Sequence, residues 1–170
     1  MERDTKSRGK RLKGSYAGIL RRDGEPMKIS SKDLRNELKV VWPNIGFMWV
    51  PDYNLWKPSF DEMKAAIEAS VVNRLKFLDD INDCDDFALQ LNADIKRLRA
   101  YDAEAGKIPN DKWYPWAFGE VFGTHFKGWP GAHSANICVC REGIFLIEPQ
   151  TDDIWPADGP PDDIILCAKF

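Results

Sequence analysis

Apolar residues recur every three or four positions in two stretches of the chain. The first stretch opens on a capping-box pattern, Ser59 with Glu62, and predicts an amphipathic helix over residues 60–78. The second stretch predicts a helix from about Asp83 to Ala105, which Gly106 would end. The apolar positions of the two predicted helices are Phe60, Met63, Ile67, Val71, Leu75 and Leu78, then Phe87, Leu91, Ile95 and Leu98.

Alternating side chains predict strands in the last third of the chain. Between residues 133 and 140 the two alternating sets differ in character, which is typical of a strand with two distinct faces. Residues 141–143 would turn the chain into a second strand over Ile144 to Glu148, and a final strand over Asp163 to Lys169 would close the sheet. The preceding residues 111–129 are predicted to form an aromatic loop.

Smaller elements are predicted near the start of the chain. Residues 16–20 and 27–29 flank an Asp-Gly turn and predict a short hairpin. Ser30 or Ser31 is expected to cap a short helix that runs through about Lys39. An aromatic strand or loop should follow over residues 45–50.

Composition and charge narrow the class of protein. The chain has 170 residues, of which 44% are hydrophobic and 30% charged, which fits one globular domain over residues 15–170. Residues 1–14 are expected to form a flexible basic tail. We expect a cytoplasmic protein with free thiols, because no apolar stretch could span a membrane and no signal peptide is present. Nucleic acid would bind only through the basic residues 1–13, and the oligomeric state is open.

A run of acidic residues surrounds Cys84 at the predicted start of the second long helix. Five aspartates occur between residues 79 and 86, and a helix N-terminus offsets only about 0.3 to 1 kcal/mol of their repulsion. A divalent cation such as Ca²⁺, Mg²⁺ or Mn²⁺ would neutralise such a cluster of oxygen ligands. The alternative is a solvated helix start without a cation, capped by Asn82 or Asp83. The local sequence leaves both interpretations open.

Cys84 is also a candidate nucleophile, which would need a base and a third group to orient that base. His133, at the start of the alternating strand, is favoured over His125, which lies in the aromatic loop. If residues 141–143 pair the two strands, Glu148 lies near His133 and accepts its second ring proton. A cysteine is more commonly a small buried hydrophobe. We expect that role for Cys138, Cys140 and Cys167.

Four segments that contain these residues resemble a known family. The segments are Asp83–Ala88, Trp116–Gly119, Gly131–Asn136 and Ile147–Thr151. They are similar to the papain-like protease domain at the C-terminus of the Marasmius oreades agglutinin, which bacterial and phage proteins share. The resemblance covers roughly residues 53–155 in separated motifs. It leaves out that protein's sugar-binding β-trefoil, because the 83 residues before Cys84 are too few and show no threefold repeat.

The resemblance implies an α+β fold of the papain-like or transglutaminase-like class, in which a helix with an N-terminal cysteine packs on an antiparallel sheet. Residues 15–50 would precede a catalytic core over residues 53–155. The implied catalytic residues are Cys84 as nucleophile, His133 as general base and Glu148 as the orienting residue. The implied ligands of an activating Ca²⁺ or Mn²⁺ are Asp83, Asp85, Asp86 and Gln150.

The function expected on this basis is a metal-activated cysteine hydrolase, a thiol protease that cleaves peptide or amide bonds in a protein or peptide substrate. One alternative is a non-catalytic phage or bacterial structural or interaction protein with a metal-stabilised acidic cluster. Another is a peptidoglycan amidase or acyltransferase. A phage-encoded protein would act in the host cell or the virion. Candidate cleft walls are Tyr53, Trp56, Trp113, Trp116 and Trp129.

Overall fold

The structure, a computed structural model, describes residues 27–157 and 164–170. Its elements in chain order are β1 (Lys28–Ser30), α1 (Ser31–Val41), β2 (Phe47–Trp49), β3 (Asn54–Trp56), α2 (Phe60–Ala69), α3 (Cys84–Glu104), β4 (Phe118–Thr124), β5 (Ala132–Val139), β6 (Ile144–Glu148), β7 (Asp153–Pro156) and β8 (Ile164–Lys169). The predicted basic tail and the 16–20 strand of the predicted hairpin lie outside the described residues, and the domain division stays a prediction. None of the described helices is long and apolar enough to cross a membrane.

The first two helices begin where their sequence caps predict. Ser30 caps α1 by accepting a hydrogen bond from the backbone N–H of Asp33. Ser59 and Glu62 form the complete capping box at the start of α2, with side chains and backbone N–H groups bonded reciprocally. These caps satisfy N–H groups that have no partner inside a helix.

The predicted end of α2 at residue 78 is wrong, because the helix stops at Ala69. Ser70 takes an extended backbone conformation, and its hydroxyl donates a hydrogen bond to Asp94 of α3 at 2.9 Å. The helical spacing continues beyond that point, yet Val71, Leu75 and Leu78 are all more than 40% exposed. A regular apolar pattern predicts a helix only where a core is present to bury its apolar face.

The long helix α3 agrees with its prediction at both ends. Asp83 caps it and forms a capping box with Asp86. Its buried face includes Phe87 and Leu91, and the chain leaves the helix through Gly106, whose φ of 71° suits glycine. Cys84 is therefore the first residue of α3.

A six-stranded sheet runs in the order β2-β8-β4-β5-β6-β7, and β1 pairs with β3 in a separate two-stranded sheet. All neighbouring strands in the large sheet are antiparallel except β2 and β8, which pair in parallel. The sheet that was expected to be antiparallel therefore contains one parallel pair at its β2 edge. A parallel pair requires a long connection between its strands, and most of the chain separates β2 from β8.

Helices cover both faces of the large sheet. Ile137 and Val139 of β5 pack in one cluster with Leu34 and Leu38 of α1. The intervening Cys138 and Cys140 pack in a second cluster with residues of α2 and α3. The resemblance implied a helix packed on an antiparallel sheet. In the structure α1 forms a second helical layer, which covers the opposite face of the sheet.

β4 lies in the middle of the sheet, where the sequence predicted an aromatic loop. Its two glycines are needed for the close approach of β8. A Cβ atom on Gly119 would lie 2.2 Å from the carbonyl oxygen of Lys169, and one on Gly123 would lie 2.0 Å from that of Ile164. Glycines that suggest a loop by composition here permit two backbones to approach closely.

We expect Gly123→Ala to destabilise the protein by about 3 kcal/mol, since the added methyl group collides with backbone and cannot be relieved by a rotamer change. Gly106→Ala is the matched control, because Gly106 has a positive φ but open space around its Cβ position. It should cost only about 1 to 2 kcal/mol. Urea unfolding measures both. Equal losses would contradict the close approach of β4 and β8.

Candidate functional site

His133 and Glu148 meet where β5 begins and β6 ends. The register pairs Asn136 with Ile147, so the two side chains are diagonal neighbours on one face of the sheet. Nε2 of His133 lies 2.6 Å from Oε2 of Glu148. Their side chains are only 14% and 20% exposed. Partial burial and a short bond make this pair a fixed polar group rather than a mobile surface contact.

Aromatic rings hold His133 from two sides. The ring of Phe126 packs edge-on to it at 5.9 Å between centroids, and the indole of Trp129 does so at 5.7 Å. The indole also lies directly over Gly131, where a Cβ would stand 2.3 Å from Cη2 of Trp129. Gly131 therefore creates the space in which Trp129 rests against His133.

These residues form one wall of a cleft of about 450 Å³. Lys127 also lines the cleft, with its ammonium group 2.9 Å from Asp153 and 4.7 Å from the ring centroid of Trp155. The residues that line the cleft are Phe126, Lys127, Trp129, His133, Glu148, Gln150, Thr151, Asp153 and Trp155. The cleft combines aromatic surface with several hydrogen-bonding side chains, as ligand sites do.

A strained turn supplies the rim of this cleft. His125 and Lys127 both have positive φ angles, 67° and 51°, which cost free energy for residues other than glycine. The strain places Phe126 in the core, where it is 4% exposed. His125, the other candidate base, bonds through Nδ1 to Thr124 at 2.9 Å and does not line the cleft.

Cys84 is half-buried at the start of α3. Among the described residues no hydrogen bond joins its thiol to His133. It is grouped with Asp83 and Asp85, since one ligand atom from each of these three residues lies within 4.8 Å of the others. The structure thus brings His133 and Glu148 together, and it groups Cys84 with the aspartates. The catalytic roles of all three stay predictions.

The predicted metal ligands lie in three different settings. Asp83 and Asp85 are close together, and the hydrogen bond that a protonated Asp85 donates to Asp83, together with some loss of solvation, raises the pKa of Asp85. Asp86 instead accepts the backbone N–H of Asp83 at 3.3 Å as part of the helix cap. Gln150 lies in the cleft beside His133. Asp83 and Asp85 fit a Ca²⁺ or Mn²⁺ ion by their oxygen donors.

The remaining cysteines differ in burial. Cys138 and Cys140 are fully buried with their sulfur atoms 3.6 Å apart, and burial raises the pKa of Cys138 well above its usual value. They are core residues, as predicted. Cys167 is only half-buried, so the predicted core role fits it less well.

Two solved structures share this fold. One is a complex of PSL1a with E64, with a TM-score of 0.66, and the other is the Polyporus squamosus lectin bound to the human-type influenza-binding epitope Neu5Acα2-6Galβ1-4GlcNAc, with a TM-score of 0.65. Each is 18% identical to this chain and covers 85% of it, whereas the chain spans about half of theirs, 51% and 50%. At that identity the likeness shows a shared fold alone. No family model and no curated protein matches the chain.

This finding overturns the expected membership of a papain-like protease family, because the matching structures are those of a lectin. The papain-like or transglutaminase-like fold class, the thiol protease activity and the protein or peptide substrate all depended on that resemblance and are withdrawn with it. The two alternatives, a non-catalytic structural or interaction protein and a peptidoglycan amidase or acyltransferase, gain no support from these matches. The cytoplasmic location stays a prediction.

Several residues of the cleft were not predicted from the sequence. Trp129 was among the candidate cleft walls, but Trp155 and Asp153 lie on β7, which was not predicted. β7 has four residues and ends in a proline, so alternation had too few positions to reveal it. The positive φ angles of His125 and Lys127 could not be predicted from the types of these two residues.

If Asp83 and Asp85 hold Ca²⁺ or Mn²⁺, a saturating concentration of either ion should raise the melting temperature by about 5 °C. The ion requires both carboxylates deprotonated, so the increase should grow as pH rises through the raised pKa of Asp85. Calorimetry with and without the ion measures this. Asp85→Asn should abolish the increase, and Asp79→Asn, outside the group, should retain it. An unchanged melting temperature would favour the solvated helix start.

Proposed function

We propose that this chain is a carbohydrate-binding module and that the cleft beside Trp129 is its site. One observation carries the proposal: a half-exposed indole is held over Gly131 beside the paired side chains of His133 and Glu148. Sugars present apolar C–H surface together with a ring of hydroxyl groups. A site for them needs an aromatic surface next to fixed hydrogen-bonding groups.

The polar side chains of the cleft suit hydroxyl groups. Carboxylates such as those of Glu148 and Asp153 accept strong hydrogen bonds from hydroxyl donors. Oε1 of Glu148 is also bonded by the backbone N–H of Gln150 at 3.3 Å, which fixes its direction. A carboxylate that is already oriented loses little conformational freedom when a sugar binds.

The charges of the cleft favour a neutral sugar. Lys127 is paired with Asp153, and His133 is paired with Glu148, so each basic side chain already faces a carboxylate. A sialic acid carboxylate would have to compete with these pairs. We therefore propose a neutral sugar such as Galβ1-4GlcNAc as ligand, which is part of the epitope bound by the Polyporus squamosus lectin.

Support from the lectin structures is confined to the fold and to the class of ligand. The chain spans half the length of those proteins, so binding by the whole lectin does not assign a site to this half. The proposal accordingly rests on the cleft and is tested on this chain alone.

Isothermal titration with Galβ1-4GlcNAc should show saturable binding, and Trp129→Ala should weaken it about tenfold through lost aromatic contact. Trp49→Ala is the matched control, because Trp49 is 52% exposed and Trp129 is 55% exposed, but Trp49 does not line this cleft. It should leave the affinity unchanged. The sialylated epitope should bind more weakly than the neutral sugar. Absent binding, or equal loss in both variants, would overturn the proposal.

A second experiment distinguishes a binding module from a protein in which Cys84 is a reactive thiol. The chain is incubated with E64, the ligand of the PSL1a structure, and its mass is measured after denaturation. A binding module should show the mass of the unmodified chain. A persistent increase by the mass of E64 that disappears in Cys84→Ala would contradict the proposed function.

A further inference from the structure

A second cleft, of about 570 Å³, lies between α2 and the C-terminal half of α3. Its walls include small apolar side chains of α2 and larger ones of α3 and the loop that follows. Those that form the apolar wall are Ala65, Ala66, Ala69, Ile95, Leu98 and Ile108. None of these residues lines the cleft beside Trp129, so the two sites are separate.

Two cations converge at one end of this second cleft. The guanidinium carbon of Arg99 and the ammonium nitrogen of Lys112 each lie 5.9 Å from the ring centroid of Trp56. Arg99 donates to the carbonyl oxygens of Tyr114 and Lys112, at 3.4 and 2.9 Å, through Nε and Nη2. Its Nη1 has no acceptor within the described part of the chain.

Further donors at that end lack an acceptor. Nε1 of Trp116 is buried and makes no hydrogen bond, and Trp116 is bridged to Trp56 through the backbone. Lys112 forms no ion pair with any described residue. A buried N–H group without an acceptor costs free energy, which a ligand oxygen would recover.

The charge balance of the cleft also favours an anion. Its basic residues are Arg99, Lys107 and Lys112, and its acidic residues are Glu62 and Asp102. Asp102 is paired with Lys107 at 2.7 Å, and Glu62 is bonded to the backbone of Ser59 at 2.6 Å and paired with Arg141 at 3.4 Å. One positive charge is left in excess. Burial lowers the pKa of Arg99, and a carboxylate beside it would offset that loss of solvation.

We propose that this second cleft binds a small amphipathic carboxylate. The carboxylate lies among Arg99, Lys112 and Nε1 of Trp116, and the aliphatic body of the ligand lies along the alanines of α2. A single negative charge on an apolar body matches both the excess positive charge and the apolar wall. The inference is independent of carbohydrate binding at the first cleft.

Titration calorimetry with octanoate tests this site. Octanoate should bind saturably, whereas octylamine, of equal chain length and opposite charge, should not bind at this site. Trp116→Phe removes the N–H donor together with part of the indole ring and should weaken octanoate binding about tenfold. Trp129→Phe is the matched control in the first cleft and should bind octanoate normally.

A second variant keeps the test decisive if Trp116→Phe does not fold. Lys112 is exposed, so Lys112→Gln should fold normally and should also weaken octanoate binding about tenfold by removing a charged donor. Octylamine binding as tightly as octanoate would overturn the proposal. Absent octanoate binding, or unchanged affinity in a folded variant of Trp116 or Lys112, would do the same.

Discussion

The burial of β5 on both of its faces organises this molecule. Ile137 and Val139 face the helix α1, whereas Cys138 and Cys140 face α2 and α3, and all four are at most 1% exposed. Each large apolar side chain buried in this way contributes about 1.5 to 3 kcal/mol. The strand cannot slip by one residue, because a slip would exchange the two sets of side chains between different layers. Its register with β6 is therefore determined.

The candidate carbohydrate site follows from that register. His133 leaves the core at the start of β5, and β6 returns antiparallel to bring Glu148 to the same end. Trp129 packs over Gly131 and completes the wall. The same alternation places His133 on the side of Ala135, whereas Asn136, on the other side, donates to the carbonyl of Ala88 in α3 at 2.8 Å. This arrangement agrees with the lack of a hydrogen bond between Cys84 and His133.

Local capping chemistry was predictable, but long-range packing was not. Ser59 and Asp83 mark the starts of α2 and α3 because a cap depends on neighbours within three residues. The end of α2 depends on the hydroxyl of Ser70 meeting Asp94, 24 residues away. β4 was not predicted, because Gly119 is needed there for the close approach of the β8 backbone, which lies far away in the sequence. The proximity of His133 and Glu148 was predictable because one short turn joins their strands, whereas the motifs around Cys84 led to a family that the fold comparison does not support.

The central claim is that a sugar binds between Trp129 and the β6–β7 edge, and indole N–H resonances test it most directly. In a two-dimensional NMR spectrum recorded during addition of Galβ1-4GlcNAc, the signals of Trp129 and Trp155 should shift together and saturate. The signals of Trp49 and Trp116, which lie outside this cleft, should stay in place. Unmoved signals for Trp129 and Trp155, or equal shifts for all four tryptophans, would contradict the account.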